Sequence, residues 1–213
     1  MRTLWRHCQI ATMVDGHYNL IKNGALITED AQLLWVGDEA LRPAMAIDRE
    51  RLLNGRLVTP GLIDCHSHSV FGGDRSQEFA QRLNGASYAE IAASGGGIAS
   101  TVKATRAADE AQLFASARRR IEALRQDGVT SLEIKSGYGL SFNDERKMLR
   151  VIRQLNAALP LTIYSTCLAA HALPVEYQGR SDAYIDEVCD NWLPRLHAEG
   201  LVDAVDAFCE HLA

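Results

Sequence analysis

Hydrophobic and polar positions follow two different patterns along the chain. Up to about residue 57, short apolar runs alternate with polar turns, and the runs at 25–28 and 33–36 predict two strands joined by a turn. From Val58 onward, short apolar runs alternate with longer segments of helical period. We therefore expect a small β-sandwich-like domain over residues 1–57 and an α/β domain over residues 58–213.

Three long segments of the second domain carry an apolar stripe at helical spacing. The first ends at Gly128, and its stripe comprises Leu113, Phe114, Ala117, Ile121 and Leu124. The second is capped by Asn143 and ends before Pro160, and its stripe comprises Met148, Leu149, Ile152 and Leu155. The third starts at Ser181, is kinked at Pro194 and turns inward Ile185, Val188, Trp192 and Leu196.

Four apolar runs separated by these helical segments predict parallel strands at 58–64, 129–135, 161–170 and 202–210. The chemically interesting residues follow the strand ends: His66, His68, Tyr138, His171 and Glu210. An open doubly wound sheet and a (β/α)8 barrel both gather chemistry at that edge. A metal-binding pair on the first strand favours the barrel.

His66 and His68 form a His-x-His pair after an apolar run that contains Pro60 and Gly61. Side chains two residues apart on a strand project from the same face. Two neutral imidazoles on one face can hold one Zn²⁺ or Fe²⁺ at about 2.0–2.1 Å. The pair therefore predicts a metal site.

Composition narrows the function classes. The net charge of −5 gives no electrostatic reason to expect nucleic acid, and no apolar run reaches the ~18 residues of a membrane span. The first residues lack the pattern of a signal peptide. Five cysteines without a Cys-x-x-Cys pair argue against disulfides and a zinc ribbon, and favour buried thiols in the cytoplasm.

Several longer motifs are similar to those of a known family. The segment PGLIDCHSH at 60–68 resembles the first barrel strand of the amidohydrolase superfamily. Narrower motifs resemble the imidazolonepropionase family within it: HSHSVFGGDR (66–75), SYAEIAASGGGIASTVKATR (87–106), EIKSGYGLSFNDERKMLRVI (133–152) and AAHALPVEY (169–177). The resemblance runs along the whole chain and implies about the first four units of a metal-dependent hydrolase (β/α)8 barrel, preceded by an incomplete β domain.

The resemblance implies an enzyme of histidine degradation that opens the ring of 4-imidazolone-5-propanoate with water, giving N-formimidoyl-L-glutamate. It also implies one divalent or trivalent metal ion, zinc or iron, held by His66 and His68. A metal lowers the pKa of a bound water toward about 7, which suits hydrolysis at neutral pH. A homodimer is possible.

The same resemblance implies a substrate-binding set of Arg75, Tyr138, His171 and, more weakly, Tyr88. A guanidinium can grip the propionate through two parallel hydrogen bonds. The residues alone leave other roles open: Arg75 can be a solvated surface arginine, Tyr138 a packed tyrosine at the rim, and His171 a structural histidine. Glu133 and Lys135 can pair and are given no chemistry.

The family pattern also includes a later metal-binding histidine and aspartate, an acid/base glutamate and another substrate histidine. None has a counterpart before Ala213, so the acid/base residues are expected beyond that position. We expect a portion of a longer enzyme with little or no turnover alone. Two alternatives stay open: another cyclic-amide amidohydrolase or deaminase, and a non-catalytic half-barrel that serves as an interaction module.

Overall fold

The computed structural model describes residues 1–87, 90–91 and 95–209. The chain separates into two compact units, Met1–Gly61 and Leu62–Ala213. The division falls at the Thr59-Pro60-Gly61 segment, which belongs to no strand. Proline has no backbone N–H to donate, so strand pairing is interrupted there.

The first unit is a five-stranded sheet. Its strands are β1 (Arg2–Ala11), β2 (Leu20–Glu29), β3 (Gln32–Asp38), β4 (Arg49–Leu52) and β5 (Leu57–Val58). The strand order is β3-β2-β1-β4, and β5 also pairs with β1. The pairs β1–β2 and β2–β3 are antiparallel, whereas β4 and β5 run parallel to β1. Leu4, Ala25 and Ile27 form its buried core. The two predicted strands are confirmed as the central parts of β2 and β3.

The second unit is a parallel α/β layer. Its four strands, in the order β6-β7-β8-β9, are β6 (Leu62–Ser67), β7 (Val129–Lys135), β8 (Thr162–Ala170) and β9 (Ala204–Ala207). Its helices are α1 (Ser76–Leu83), α2 (Ile98–Ala107), α3 (Glu110–Gln126), α4 (Phe142–Ala158), α5 (Ser181–Glu187) and α6 (Leu193–Ala198). The predicted parallel sheet with helical crossovers is confirmed.

Helix α3 shows how the local sequence sets an element. The Asp109 side chain accepts a hydrogen bond from the Gln112 backbone, and the Gln112 side chain accepts one from the Asp109 backbone, a reciprocal capping box. The helix ends at Gln126, and its C-cap Asp127 is followed by Gly128, whose φ is +99°. The predicted inner stripe is confirmed: three of its members are fully buried and two are partly buried in the core.

Helix α4 buries the predicted stripe but starts earlier than predicted. Ser141, not Asn143, is the N-cap, because the Ser141 side chain accepts from the Asp144 backbone N–H. Met148, Leu149 and Ile152 are fully buried. A polar residue, Glu145, is also fully buried on this helix.

The prediction for the last helical segment is partly wrong. Val188, Trp192 and Leu196 are buried as predicted, but Ile185 is 42% exposed and Tyr184 takes the inner position. A π-helical turn over Val188–Trp192 joins α5 to α6, and its extra residue per turn shifts the inner face. Pro194 lies in the first turn of α6, where a missing N–H costs little.

The strand that leads to the histidine pair differs from the one predicted at 58–64, and its first residues are exposed. Val58 pairs with β1 in the first unit, and β6 starts at Leu62. Leu62 and Ile63 are 53% and 73% exposed. Within the described residues, β6 pairs with β7 alone, so it is an edge strand with an open side.

All five cysteines are free thiols, as predicted. The prediction that they are buried is wrong for three of them, because only Cys8 and Cys167 are buried. Burial raises the pKa of the Cys167 thiol to about 12. Among the described residues, no helix is long and apolar enough to cross a membrane.

Candidate active site

His66 and His68 lie side by side at the end of β6. Their ring centroids are 5.5 Å apart and their planes are inclined by 61°. The Asp64 carboxylate accepts a hydrogen bond of 3.2 Å from the His66 backbone N–H. The strand end therefore presents two imidazoles close enough to share one cation.

The environment of His68 suits a neutral ligand. Burial, then the neighbouring His171 and His66 rings, lowers the pKa of His68 to about 4. The Nδ1 atom of His68 is buried and has no hydrogen-bond partner among the described residues. A neutral imidazole with an unsatisfied buried nitrogen fits a metal ion, because a cation would fill the role of the missing partner.

Two further rings close on this pair. The His68 ring stacks on His171 at 5.1 Å with an 18° inclination, and Tyr138 lies 5.1 Å from His68 and 5.3 Å from His171. Tyr138 follows β7 and His171 follows β8, so three adjacent parallel strands deliver these rings to one edge. The structure thus brings together four of the six residues predicted to bind metal or substrate.

The orientation of His171 is fixed by the backbone. Its Nδ1 lies 3.0 Å from the carbonyl oxygen of Gly137. A carbonyl only accepts, so Nδ1 carries a proton, and in the neutral form of the ring Nε2 is left as an acceptor. His171 can therefore present an unprotonated nitrogen on the side away from Gly137.

A cavity of about 330 Å³ adjoins the rings through Tyr138. It is lined by Phe71, Gly73, Asp74, Arg75, Thr101, Arg120 and Tyr138. Arg75 donates from Nε to the Thr101 hydroxyl at 2.9 Å and lies 4.0 Å from Glu78. Because that bond uses Nε, the terminal nitrogens of Arg75 can face an anion in the cavity.

The Gly72-Gly73 loop between His68 and Arg75 needs its glycines. The Gly72 backbone N–H donates to the Thr105 hydroxyl at 3.0 Å. A Cβ at Gly72 would lie 2.5 Å from the carbonyl oxygen of Ala104, a distance no side chain tolerates. The loop therefore packs directly on α2, which holds Arg75 beside Thr101.

Arg120 was missed by the sequence analysis. Its guanidinium stacks over the Phe71 ring at 3.6 Å and donates to the carbonyls of Ser69 (3.0 Å) and Phe71 (3.2 Å). The available signal was its place in α3 beside the buried Ile121, while the adjacent Arg119 is exposed. Arg120 thereby fixes the segment that leaves the histidine pair.

The predicted pairing of Glu133 with Lys135 is confirmed and extends further. Lys135 is 7% exposed, and its Nζ lies 2.8 Å from both Glu133 and Asp206. Burial alone would lower the pKa of Lys135, but the hydrogen bonds to Asp206 and Glu133 raise it. Glu133 also accepts from the Thr166 hydroxyl at 2.8 Å. The ammonium is thus charged and links β7 to β9, with β8 between them.

Tyr88, predicted to contact substrate, and Glu210, at the fourth strand end, lie outside the described residues. Ser87 and Glu90 beside Tyr88 are described, and they make the reciprocal hydrogen bonds of a capping box. No group of three or more His, Cys, Asp or Glu side chains placed to hold a metal occurs in the described parts of the chain.

None of the protein-family models matches the chain. Imidazolonepropionases from Pseudomonas putida (strain F1) and Acinetobacter baumannii (strain ATCC 17978) are 64% and 62% identical to it over 213 residues, which is 100% of this chain and 53% of each relative. The chain is similar over its whole length to part of an imidazolonepropionase. It spans about half the length of these curated relatives. The resemblance identified from the motifs is confirmed.

Solved structures agree on the fold. A triazine hydrolase variant (P214T/Y215H) matches with a TM-score of 0.56 at 13% identity, covering 89% of this chain and 42% of the other. N-isopropylammelide isopropylaminohydrolase from Burkholderia multivorans matches with a TM-score of 0.51 at 14% identity, covering 96% and 44%. At such identities only the fold is shared: the predicted amidohydrolase-type half-barrel, with a small β domain before it, is confirmed. The imidazolonepropionase-like motifs lie in its barrel part.

Proposed function

We propose that this chain supplies part of the active site of an imidazolonepropionase, which hydrolyses 4-imidazolone-5-propanoate to N-formimidoyl-L-glutamate. One observation carries the proposal beyond the sequence similarity. The rings of His66, His68, Tyr138 and His171 gather at one strand edge, beside a cavity that Arg75 lines. The proposed metal pair, ring-binding groups and anion-binding group are thus adjacent.

His66 and His68 would hold one metal ion, zinc or iron. Such an ion supplies a water of lowered pKa, near 7, for attack on a ring carbonyl carbon. The low pKa of His68 keeps its ring neutral at pH 7, and its partnerless Nδ1 fits a site that is completed by a cation. Catalytic zinc sites use three protein ligands, so we propose that further ligands and the acid/base group lie outside the described residues.

The substrate would be held at both ends. The terminal nitrogens of Arg75 would take the propionate through paired hydrogen bonds, since a planar guanidinium matches a carboxylate. The Tyr138 hydroxyl and the unprotonated Nε2 of His171 would bind the imidazolone ring, one as donor and the other as acceptor. Tyr88 stays a proposed substrate contact.

The test compares Arg75→Gln with Arg82→Gln, an exposed arginine of α1 outside the cavity. Binding of N-formimidoyl-L-glutamate and of its amide, which lacks the side-chain charge, is measured by calorimetry on protein loaded with zinc. Loss of a bidentate charged pair predicts about a tenfold or greater weakening for the acid and little change for the amide. Arg82→Gln should bind both like the unmodified protein.

Equal weakening for the acid and the amide would contradict the role of Arg75. Preference for an uncharged cyclic amide or amidine would point to another amidohydrolase or a deaminase. Turnover by the 213-residue chain at the rate of its longer relatives would contradict the need for further groups. A metal-free stable oligomer without ligand binding would favour a non-catalytic interaction module.

A further inference from the structure

The loop after β7 is held by a buried carboxylate. Glu145 of α4 is fully buried, and it accepts three backbone N–H bonds: from Gly137 at 3.0 Å, from Gly139 at 2.7 Å and from Leu140 at 2.8 Å. Charge-assisted hydrogen bonds of this kind are stronger than neutral ones. One side chain therefore fixes both sides of Tyr138 in the sequence.

The carbonyl side of the same loop is also held. Arg106 of α2 donates to the carbonyls of Gly139 at 2.7 Å and Leu140 at 3.0 Å, and it pairs with Glu176 at 2.5 Å. After Tyr138, the backbone N–H groups thus bond to the Glu145 carboxylate and the backbone carbonyls to the Arg106 guanidinium. The loop has little freedom to turn.

The loop geometry reaches His171 through Gly137. Gly137 takes part in both contacts. Its N–H donates to the Glu145 carboxylate, and its carbonyl accepts from His171 Nδ1. Gly137 has a φ of +104°, and a Cβ there would lie 2.9 Å from His171 Nδ1, so only glycine brings the backbone this close. Hydrogen bonds thus connect the Glu145 carboxylate to the loop and the loop to the His171 ring, whose tautomer they set.

Glu145 does not serve helix α4 itself. The N-terminus of α4 is already capped by Ser141, which accepts from the Asp144 backbone. The three bonds of Glu145 go to residues outside the helix. Met148, Leu149 and Ile152 follow Glu145 at helical spacing and are fully buried, and such a buried helix position usually carries an apolar residue.

We propose that Glu145 is a positioning residue: it holds the 137–140 loop so that Tyr138 faces the site and His171 keeps its proton on Nδ1. That these two residues bind substrate rests on the proposed function. The placement of the loop and the tautomer do not depend on it. Glu145 acts through these residues and touches no reacting atom.

The experiment is NMR on the 213-residue chain, unmodified and with Glu145→Gln, Glu145→Asp and the control Glu122→Gln, a partly exposed residue of α3 whose carboxylate pairs with Arg125. In the unmodified chain, the amides of Gly137, Gly139 and Leu140 should be strongly protected from hydrogen exchange, and His171 should carry its proton on Nδ1. In Glu145→Gln the amide –NH₂ opposes an N–H donor, so exchange of these amides should accelerate about tenfold or more.

In Glu145→Gln the His171 ring should also lose its single tautomer. The loop amides should be affected more strongly than the stability of the rest of the unit, which is followed as the unfolding temperature. Glu145→Asp keeps the charge and should restore part of the protection. Glu122→Gln should match the unmodified chain. Binding of N-formimidoyl-L-glutamate should weaken only in the Glu145 variants.

Unprotected loop amides in the unmodified chain, or protection and tautomer unchanged in Glu145→Gln, would overturn the proposal. The unmodified chain decides the matter even where a variant fails to fold. Absence of ligand binding in the unmodified protein would count against the proposed function alone, because exchange and tautomer report on Glu145 without any ligand.

Discussion

His68 illustrates how its surroundings select one charge state of an imidazole. Burial removes water from the ring, and the His171 and His66 rings add unfavourable charge if it protonates. The protonated form is therefore disfavoured in the folded chain. A histidine kept neutral is available as a metal ligand across the physiological pH range.

A titration of the metal-free chain checks this directly. The His68 ring resonances should titrate with a midpoint at about pH 4, well below the ordinary value of 6.5. Unfolded chains bind this proton already near pH 6.5, so the His68 contribution to stability should be complete above that pH and be lost as the pH falls toward 4. A midpoint near 6.5 would contradict the burial of the ring.

Among individual residues, the sequence could predict those whose side-chain type itself suits metal or substrate binding. The His-x-His pair, Arg75, Tyr138 and His171 stand in recognisable motifs at strand ends. Arg120 and Glu145 could not be found this way, because both act on backbone groups: Arg120 on carbonyls 49 and 51 positions away, Glu145 on N–H groups of a loop. The roles in metal and substrate binding stay predictions.

At the scale of elements, α4 is tied to the start of β9 by a paired contact. The Arg153 guanidinium donates two bonds of 2.8 Å to Asp203, whose carboxylate also accepts from the Ser165 backbone at 2.8 Å. The hydrogen bond from Arg153 holds the pKa of Asp203 below its usual 3.8, against the effect of burial. The helix, β8 and the segment before β9 are thus joined by one carboxylate.

Asp203→Asn should lower the free energy of unfolding by about 1 kcal/mol at pH 7, a typical value for a partly exposed bidentate pair. A depressed carboxyl pKa stabilises above the unfolded value of 3.8 and loses its effect as the pH falls through the folded pKa. Urea unfolding at pH 7 and pH 3 should therefore show a difference that shrinks at the lower pH. The exposed Asp186→Asn serves as control; a pH-independent difference for Asp203→Asn would contradict this reading.

The order and type of the elements could be predicted because each has a strong local period. Their boundaries could not. The first strand of the second unit starts four residues later than its apolar run, since Pro60 interrupts pairing and Val58 is used by β1. The exposed Ile185 was misplaced because a π turn, which no periodic pattern announces, shifts the inner face after Glu187.

At the scale of the whole molecule, three adjacent parallel strands carry the site. β6, β7 and β8 end at one edge and deliver His66, His68, Tyr138 and His171 there, although more than a hundred positions separate the first from the last in the chain. The chain covers 53% of its relatives, and the described residues offer two imidazoles rather than a full ligand set. A weak metal site is the expected property of this chain.

We expect His66 and His68 to share one metal ion. A titration of the 213-residue chain with Zn²⁺, with the histidine ring resonances followed by NMR, tests this. The His66 and His68 resonances should change together, with one ion per chain, and His66→Ala should remove the response of His68 at the same concentrations. Separate responses of the two rings, an unchanged response of His68 in His66→Ala, or earlier changes at His7, His17 or His197 would contradict it.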